Sequence, residues 1–129
     1  KTLTDAHFLF FSGLTGDNHP LHYDDEYAQA TRVGKRVTHG LLVTAMGVMG
    51  ASTLSPLVEE SVVAFIEQSS RFLIPVLIGD TIKPALEVSE LVPKTDVGLL
   101  RLTIRITNQR GEVVLEGMHA YLIKKKPKS

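Results

Sequence analysis

Gly40-Leu-Leu-Val-Thr-Ala-Met-Gly-Val-Met-Gly-Ala-Ser-Thr-Leu54 contains no charged residue and is apolar on nearly every side. A helix built from it has no solvated face to turn outward, so one helix over residues 40–54 is expected to lie buried, its glycines and alanines in close approach to a sheet. At fifteen residues it falls short of the roughly 20 that cross a bilayer. It therefore reads as core.

The chain downstream changes period from helical to two. Leu100, Leu102, Ile104 and Ile106 alternate with Arg101, Thr103, Arg105 and Thr107, the pattern of a strand with one buried face. Asn108-Gln109-Arg110-Gly111 makes a hairpin turn into a strand from Glu112 to about Ile123. Two earlier strands are expected near Val62–Phe72 and Thr81–Leu91, separated by Pro75 and Gly79-Asp80. Upstream, Thr4 and Asp5 cap a helix carrying Phe8, Phe11 and Leu14, which Gly13 and Gly16 break. A short helical run covers Asp24 to Ala30, and Gly34-Lys35-Arg36 marks a loop. Helices first and four antiparallel strands after them give an α+β layout, a sheet wrapped around one central helix.

With 129 residues the chain is expected to be one domain over 1–129. Because it starts at Lys1, a trimmed form is expected, with a short first strand outside the numbering. Lys plus Arg equal Asp plus Glu at 14 each, so no overall field favours nucleic acid or an anionic membrane, and neither is expected as a partner. The absence of cysteine excludes disulfides, thiolate metal sites and a catalytic thiol, and fits a cytoplasmic protein. The tail Lys124-Lys125-Lys126-Pro127-Lys128 is expected to be solvated.

Gly16-Asp17-Asn18-His19-Pro20-Leu21-His22 is the stretch that carries chemistry. Glycine permits a tight turn, and proline fixes its own φ and restrains the residue before it. The loop thus presents one carboxylate and two imidazoles. A carboxylate beside an imidazole is a natural acid/base pair. From these residues alone a second account stands beside the first, in which Asp17 and Asn18 make only turn hydrogen bonds and His22 starts a helix.

Phe11-Ser-Gly-Leu-Thr-Gly-Asp-Asn-His-Pro-Leu-His22, with Ala28 six positions on, resembles the hydratase-2 motif of the MaoC-like (R)-specific enoyl-CoA hydratases and dehydratases. The motif's asparagine is His19 here. The likeness continues through Val37-Thr-His-Gly-Leu-Leu42 and Arg71-Phe-Leu-Ile-Pro-Val-Leu-Ile-Gly-Asp-Thr81. It implies a hot-dog fold and a homodimer or higher homo-oligomer with the acyl chain along the subunit interface. It also implies the addition of water to a 2-enoyl-CoA thioester, or the reverse, with no cofactor beyond the coenzyme A of the substrate.

On the same resemblance, Asp17 and His22 are the catalytic pair, the backbone N–H of Gly40 receives the thioester oxygen, and His19 positions substrate or water. A helix N-terminus is also a physical reason for the Gly40 role, against the simpler account of a tight turn into a helix. His39 is expected as a structural partner at its loop, and His7 and His119 as satisfied or exposed histidines. Arg32, Lys35 and Arg36 are candidates for coenzyme A phosphates. Three alternatives remain. A hot-dog thioesterase is disfavoured by the lack of an acidic residue in 40–54, and a non-catalytic acyl-thioester-binding subunit would follow from a site altered at His19. A metal site of Asp17, His19 and His22 has suitable ligand types, but no metal is expected because the motif accounts for the pair without one.

Overall fold

The computed structural model describes residues 1–125; Lys126 to Lys128 of the basic tail lie outside the described residues. The chain opens with α1 (Asp5–Thr15), α2 (Pro20–Tyr23), α3 (Asp25–Gln29) and α4 (Gly40–Ala45). A 3-10 turn at Met49–Ala51 and a short helix α5 (Ser55–Val58) lead to β1 (Val62–Phe72), β2 (Lys83–Pro93), β3 (Val97–Thr107) and β4 (Val113–Lys124). All neighbouring pairs are antiparallel, in the order β1-β4-β3-β2. Lys1 to Leu3 run beside the turn before β2, where Leu3 N–H donates to the Asp80 carbonyl and Ile82 N–H to that of Lys1, both at 2.9 Å.

The alternation that marks β3 in the sequence is the alternation of its burial. Leu100, Leu102, Ile104 and Ile106 are buried, and they pack with Phe8, Leu42, Val43, Met49, Val114 and Leu115. Each such side chain contributes about 1.5–3 kcal/mol by leaving water. The core therefore lies between the sheet and the segment that starts at Gly40.

That segment is not one helix. Regular α-helix ends at Ala45, and the chain then turns through Gly47 into the 3-10 turn. Gly47 lies so close to β3 that a Cβ there would meet Ile104 Cγ2 at 2.9 Å and Ile106 Cδ1 at 3.3 Å. Glycine lowers the cost of leaving the helix, and contact with the sheet rewards the irregular path. Nor is the segment buried throughout: Leu42, Val43, Gly47 and Met49 face the core, whereas Leu41 and Val48 are exposed.

Helix α1 ends where expected, with Gly16 at φ 79° as its left-handed cap. It runs through Gly13 without a break. Phe8 is fully buried and Phe11 half-buried, whereas Leu14 is 84% exposed and is not a core residue. It lines a shallow apolar groove with Phe10, Leu42 and Ala45. No described helix is long and apolar enough to cross a membrane.

Candidate active site

The motif folds as a cap, a turn and a four-residue helix. Pro20 opens α2, and His19 precedes it as N-cap, its Nδ1 accepting the Leu21 N–H at 3.1 Å. Asp17 Oδ1 accepts the His19 N–H at 3.3 Å, an Asx turn that fixes the loop. His22 then stands on α2, its ring half-buried.

What holds the His22 ring is a strap from the other side. Thr38 N–H donates to the Val76 carbonyl at 2.7 Å and Ile78 N–H to that of Arg36 at 3.0 Å, pinning residues 36–38 beside 76–78. Asp80 stiffens this turn by accepting the Leu77 N–H at 2.9 Å and the Gln109 amide at 2.8 Å. The strap presents the Val37 carbonyl to His22 Nδ1 at 2.5 Å. A carbonyl only accepts, so Nδ1 carries a proton, and in the neutral ring the lone pair is on Nε2. In that form the second ring nitrogen is a proton acceptor.

Asp17, His22 and His39 each bring one carboxylate oxygen or ring nitrogen to within 4.8 Å of the others. His39 is 2% exposed, and its ring stacks on that of His22 with centroids 3.8 Å apart and planes 23° from parallel. Tyr23 Oη lies 3.0 Å from His39 Nε2 and donates its own proton to the Phe8 carbonyl at 2.8 Å. Burial pushes the proton affinity of His39 down, and the neighbouring His22 pushes it the same way, against a smaller opposing pull from Asp17. His39 is thus a neutral imidazole under the candidate base.

The carboxylate and two-histidine set weighed as an alternative, Asp17, His19 and His22, is not the one that folds together. His39 takes the place of His19, whose Nδ1 is spent on its cap and whose ring meets His22 edge-on at 6.3 Å. The stacked rings of His22 and His39 hold their in-plane lone pairs in near-parallel layers. That arrangement suits proton transfer better than convergence on a metal. The sequence signal for His39 was its place in an otherwise apolar, solvent-poor stretch just before Gly40.

Gly40 is the first residue of α4, so its N–H has no intrahelical acceptor. With only six residues in α4, what it offers is the free N–H donor rather than a long helix dipole. A Cβ on Gly40 would meet the Phe72 ring at 3.2 Å. Beside it a cavity of about 240 Å³ is lined by Thr38, Val43, Phe72, Ile74, Val76 and Val114 among others. Thr38 and Gly40 of this lining flank His39 in the chain.

Two basic and histidine expectations change. Arg36 is tied to Asp5 at 2.7 Å and Asp25 at 2.9 Å, a lock between α1 and α3 that also holds the Asp5 carboxyl below the usual carboxylate range. It is therefore no free phosphate contact, whereas Arg32 and Lys35 are exposed. His7 is satisfied, its Nδ1 accepting the Thr4 N–H at 3.0 Å. His119 is neither exposed nor satisfied: it is 3% exposed, its Nδ1 has no partner, and burial pushes its proton affinity down.

A family model for the MaoC like domain matches residues 1–109. The chain belongs to the MaoC-like domain family. An (R)-specific enoyl-CoA hydratase of Rhodospirillum rubrum is 33% identical over 119 residues, covering 91% of this chain and 77% of its own. A 3-hydroxybutyryl-CoA dehydratase of Methylorubrum extorquens is 30% identical over 128 residues, covering 98% and 76%. Among solved structures, a monoamine oxidase regulatory protein from Archaeoglobus fulgidus is 37% identical and superposes with a TM-score of 0.89, over 98% of this chain and 86% of that one. The sheet packed on the Gly40 segment is the hot-dog fold of this MaoC-like family, and the enzyme class of its curated relatives is that of hydratases and dehydratases, carbon–oxygen lyases.

Proposed function

We propose that this MaoC-like protein adds water across the double bond of a 2-enoyl-CoA thioester to give an (R)-3-hydroxyacyl-CoA, or removes it in reverse. The observation that carries this reading is the tautomer of His22, locked by Val37 within 4.8 Å of Asp17. A water held between Asp17 and His22 Nε2 gives up a proton as its oxygen bonds to C3. The electrons of the double bond pass towards the thioester oxygen, which the Gly40 N–H receives. Protonation at C2 by the pair then restores neutrality, and no cofactor or metal takes part. The apolar cavity beside Gly40 is suited to the acyl chain.

The working form in this reading is a homodimer, with β1 of one protomer paired to β1 of its partner. The activity is tested with crotonyl-CoA, by following loss of the conjugated enoyl thioester. Wild-type protein turns it over, and Asp17→Asn and His22→Gln each lower kcat by about 10²- to 10⁴-fold. A folded wild type inert towards short, medium and branched enoyl-CoAs would sink the reading.

A further inference from the structure

We propose that His39 is a positioning residue of this centre, a buried ring that lies flat under His22 and holds it in the one orientation from which it acts as a base. The inference rests on the hydratase reading for its functional meaning. Its geometry stands by itself.

A four-residue helix is a weak mount for a catalytic side chain, and α2 is no longer than that. The Val37 carbonyl sets one edge of the His22 ring at 2.5 Å. That hydrogen bond selects which edge of the ring faces the strap, since a half-turn would bring carbon to the carbonyl. The flat contact, with ring centroids 3.8 Å apart, resists tilting or turning out of that plane, because either motion would drive the edge of the His22 ring into the face of His39. His39 itself is fixed from every side the structure describes. Phe11 packs at 4.5 Å and Phe8 edge-on at 5.4 Å, and Tyr23 accepts its Nε2–H at 3.0 Å.

The arrangement also divides the labour of the two imidazoles. Nδ1 of His39 is buried without a partner, a desolvation cost that a phenyl ring of similar shape would not incur. Titratable groups facing it are His22, Asp17 and Tyr23. A proton on His39 would sit in apolar surroundings 3.8 Å from the ring that must accept the proton from water. Kept neutral, it leaves that proton to His22.

The test compares His39→Gln, which keeps an N–H for Tyr23 but loses the ring, with His39→Phe, which keeps the ring but loses the N–H. Imidazole ¹⁵N spectra of folded protein read the His22 tautomer without any substrate. Wild type and His39→Phe should show His22 with the proton on Nδ1 alone, and His39→Gln a mixture. With crotonyl-CoA, His39→Gln should lose about 10- to 100-fold in kcat with KM nearly unchanged, since His39 does not touch substrate, and His39→Phe should recover most of the loss. A folded His39→Gln with one His22 tautomer and wild-type kcat overturns the proposal. Equal losses in both variants overturn it as well. If wild type hydrates nothing, the hydratase reading fails, and the tautomer comparison alone decides the role of His39.

Discussion

His19 is where the chain departs from the asparagine of the motif it resembles, and its hydrogen bond explains how the departure is tolerated. Its Nδ1 accepts the Leu21 N–H at 3.1 Å at the N-cap of α2, the bond an asparagine side-chain oxygen makes at an N-cap. His19→Asn is therefore expected to keep the fold, with thermal stability close to wild type and hydration retained. His19→Ala removes the cap and should cost about 1 kcal/mol, with a fall in melting temperature of about 4 °C and a lower kcat because α2 carries His22. Thermal unfolding and crotonyl-CoA turnover of both variants check this; an alanine variant as stable and active as wild type would show the cap to be idle. Asp17 and His22 could be grouped from the sequence because they flank Pro20 within one short stretch, and the resemblance to the family motif is what singled them out. His39 was not legible, because a stack formed across 17 positions of chain leaves no local pattern, only an unexplained histidine among apolar neighbours.

The strands were legible because one buried face imposes alternation, and the Leu100-to-Ile106 row shows it without a break. The Gly40 segment is shorter as a helix than its composition suggests, because an uncharged run shows no periodicity by which helix and irregular chain, or buried and exposed apolar residues, differ. Glycines settle such cases only through what they touch. Gly47 lets the chain leave α4 against Ile104. Gly117 of β4 lies closer still to its neighbour: a Cβ there would strike the backbone carbonyl oxygen of Ser69 in β1, and backbone inside a paired strand cannot yield as a side-chain tip can. Gly117→Ala should therefore destabilise by about 1–3 kcal/mol. Gly111→Ala, at φ 76° in the exposed hairpin turn but with open space for a Cβ, gives the strained but unclashed comparison. Denaturant unfolding of the two separates packing from backbone conformation, and a Gly117→Ala variant as stable as wild type would contradict the close approach.

The two edges of the sheet are built differently. β2 carries Lys83, Pro84, Glu87, Glu90 and Pro93, residues that discourage another strand from adding to it. β1 has no proline and only Glu67 and Arg71 as charges, and Val63, Phe65, Ile66 and Phe72 are each about half exposed. It hydrogen-bonds to β4 along one side only. An eleven-residue strand with exposed apolar side chains and an open edge invites a partner, and a second copy offers the same edge by two-fold symmetry. Phe72 ends β1 and also walls the cavity beside Gly40, so pairing there would close the acyl space as it joins the protomers. Light scattering on wild type should give twice the 14.2 kDa chain mass. Ile66→Lys, which places a charge on the open strand without touching Asp17, His22 or Gly40, should shift the population towards monomer and raise KM for enoyl-CoA. A wild type that is monomeric at micromolar concentration, yet fully active, would show that β1 is not the joining edge and that one chain completes the site alone.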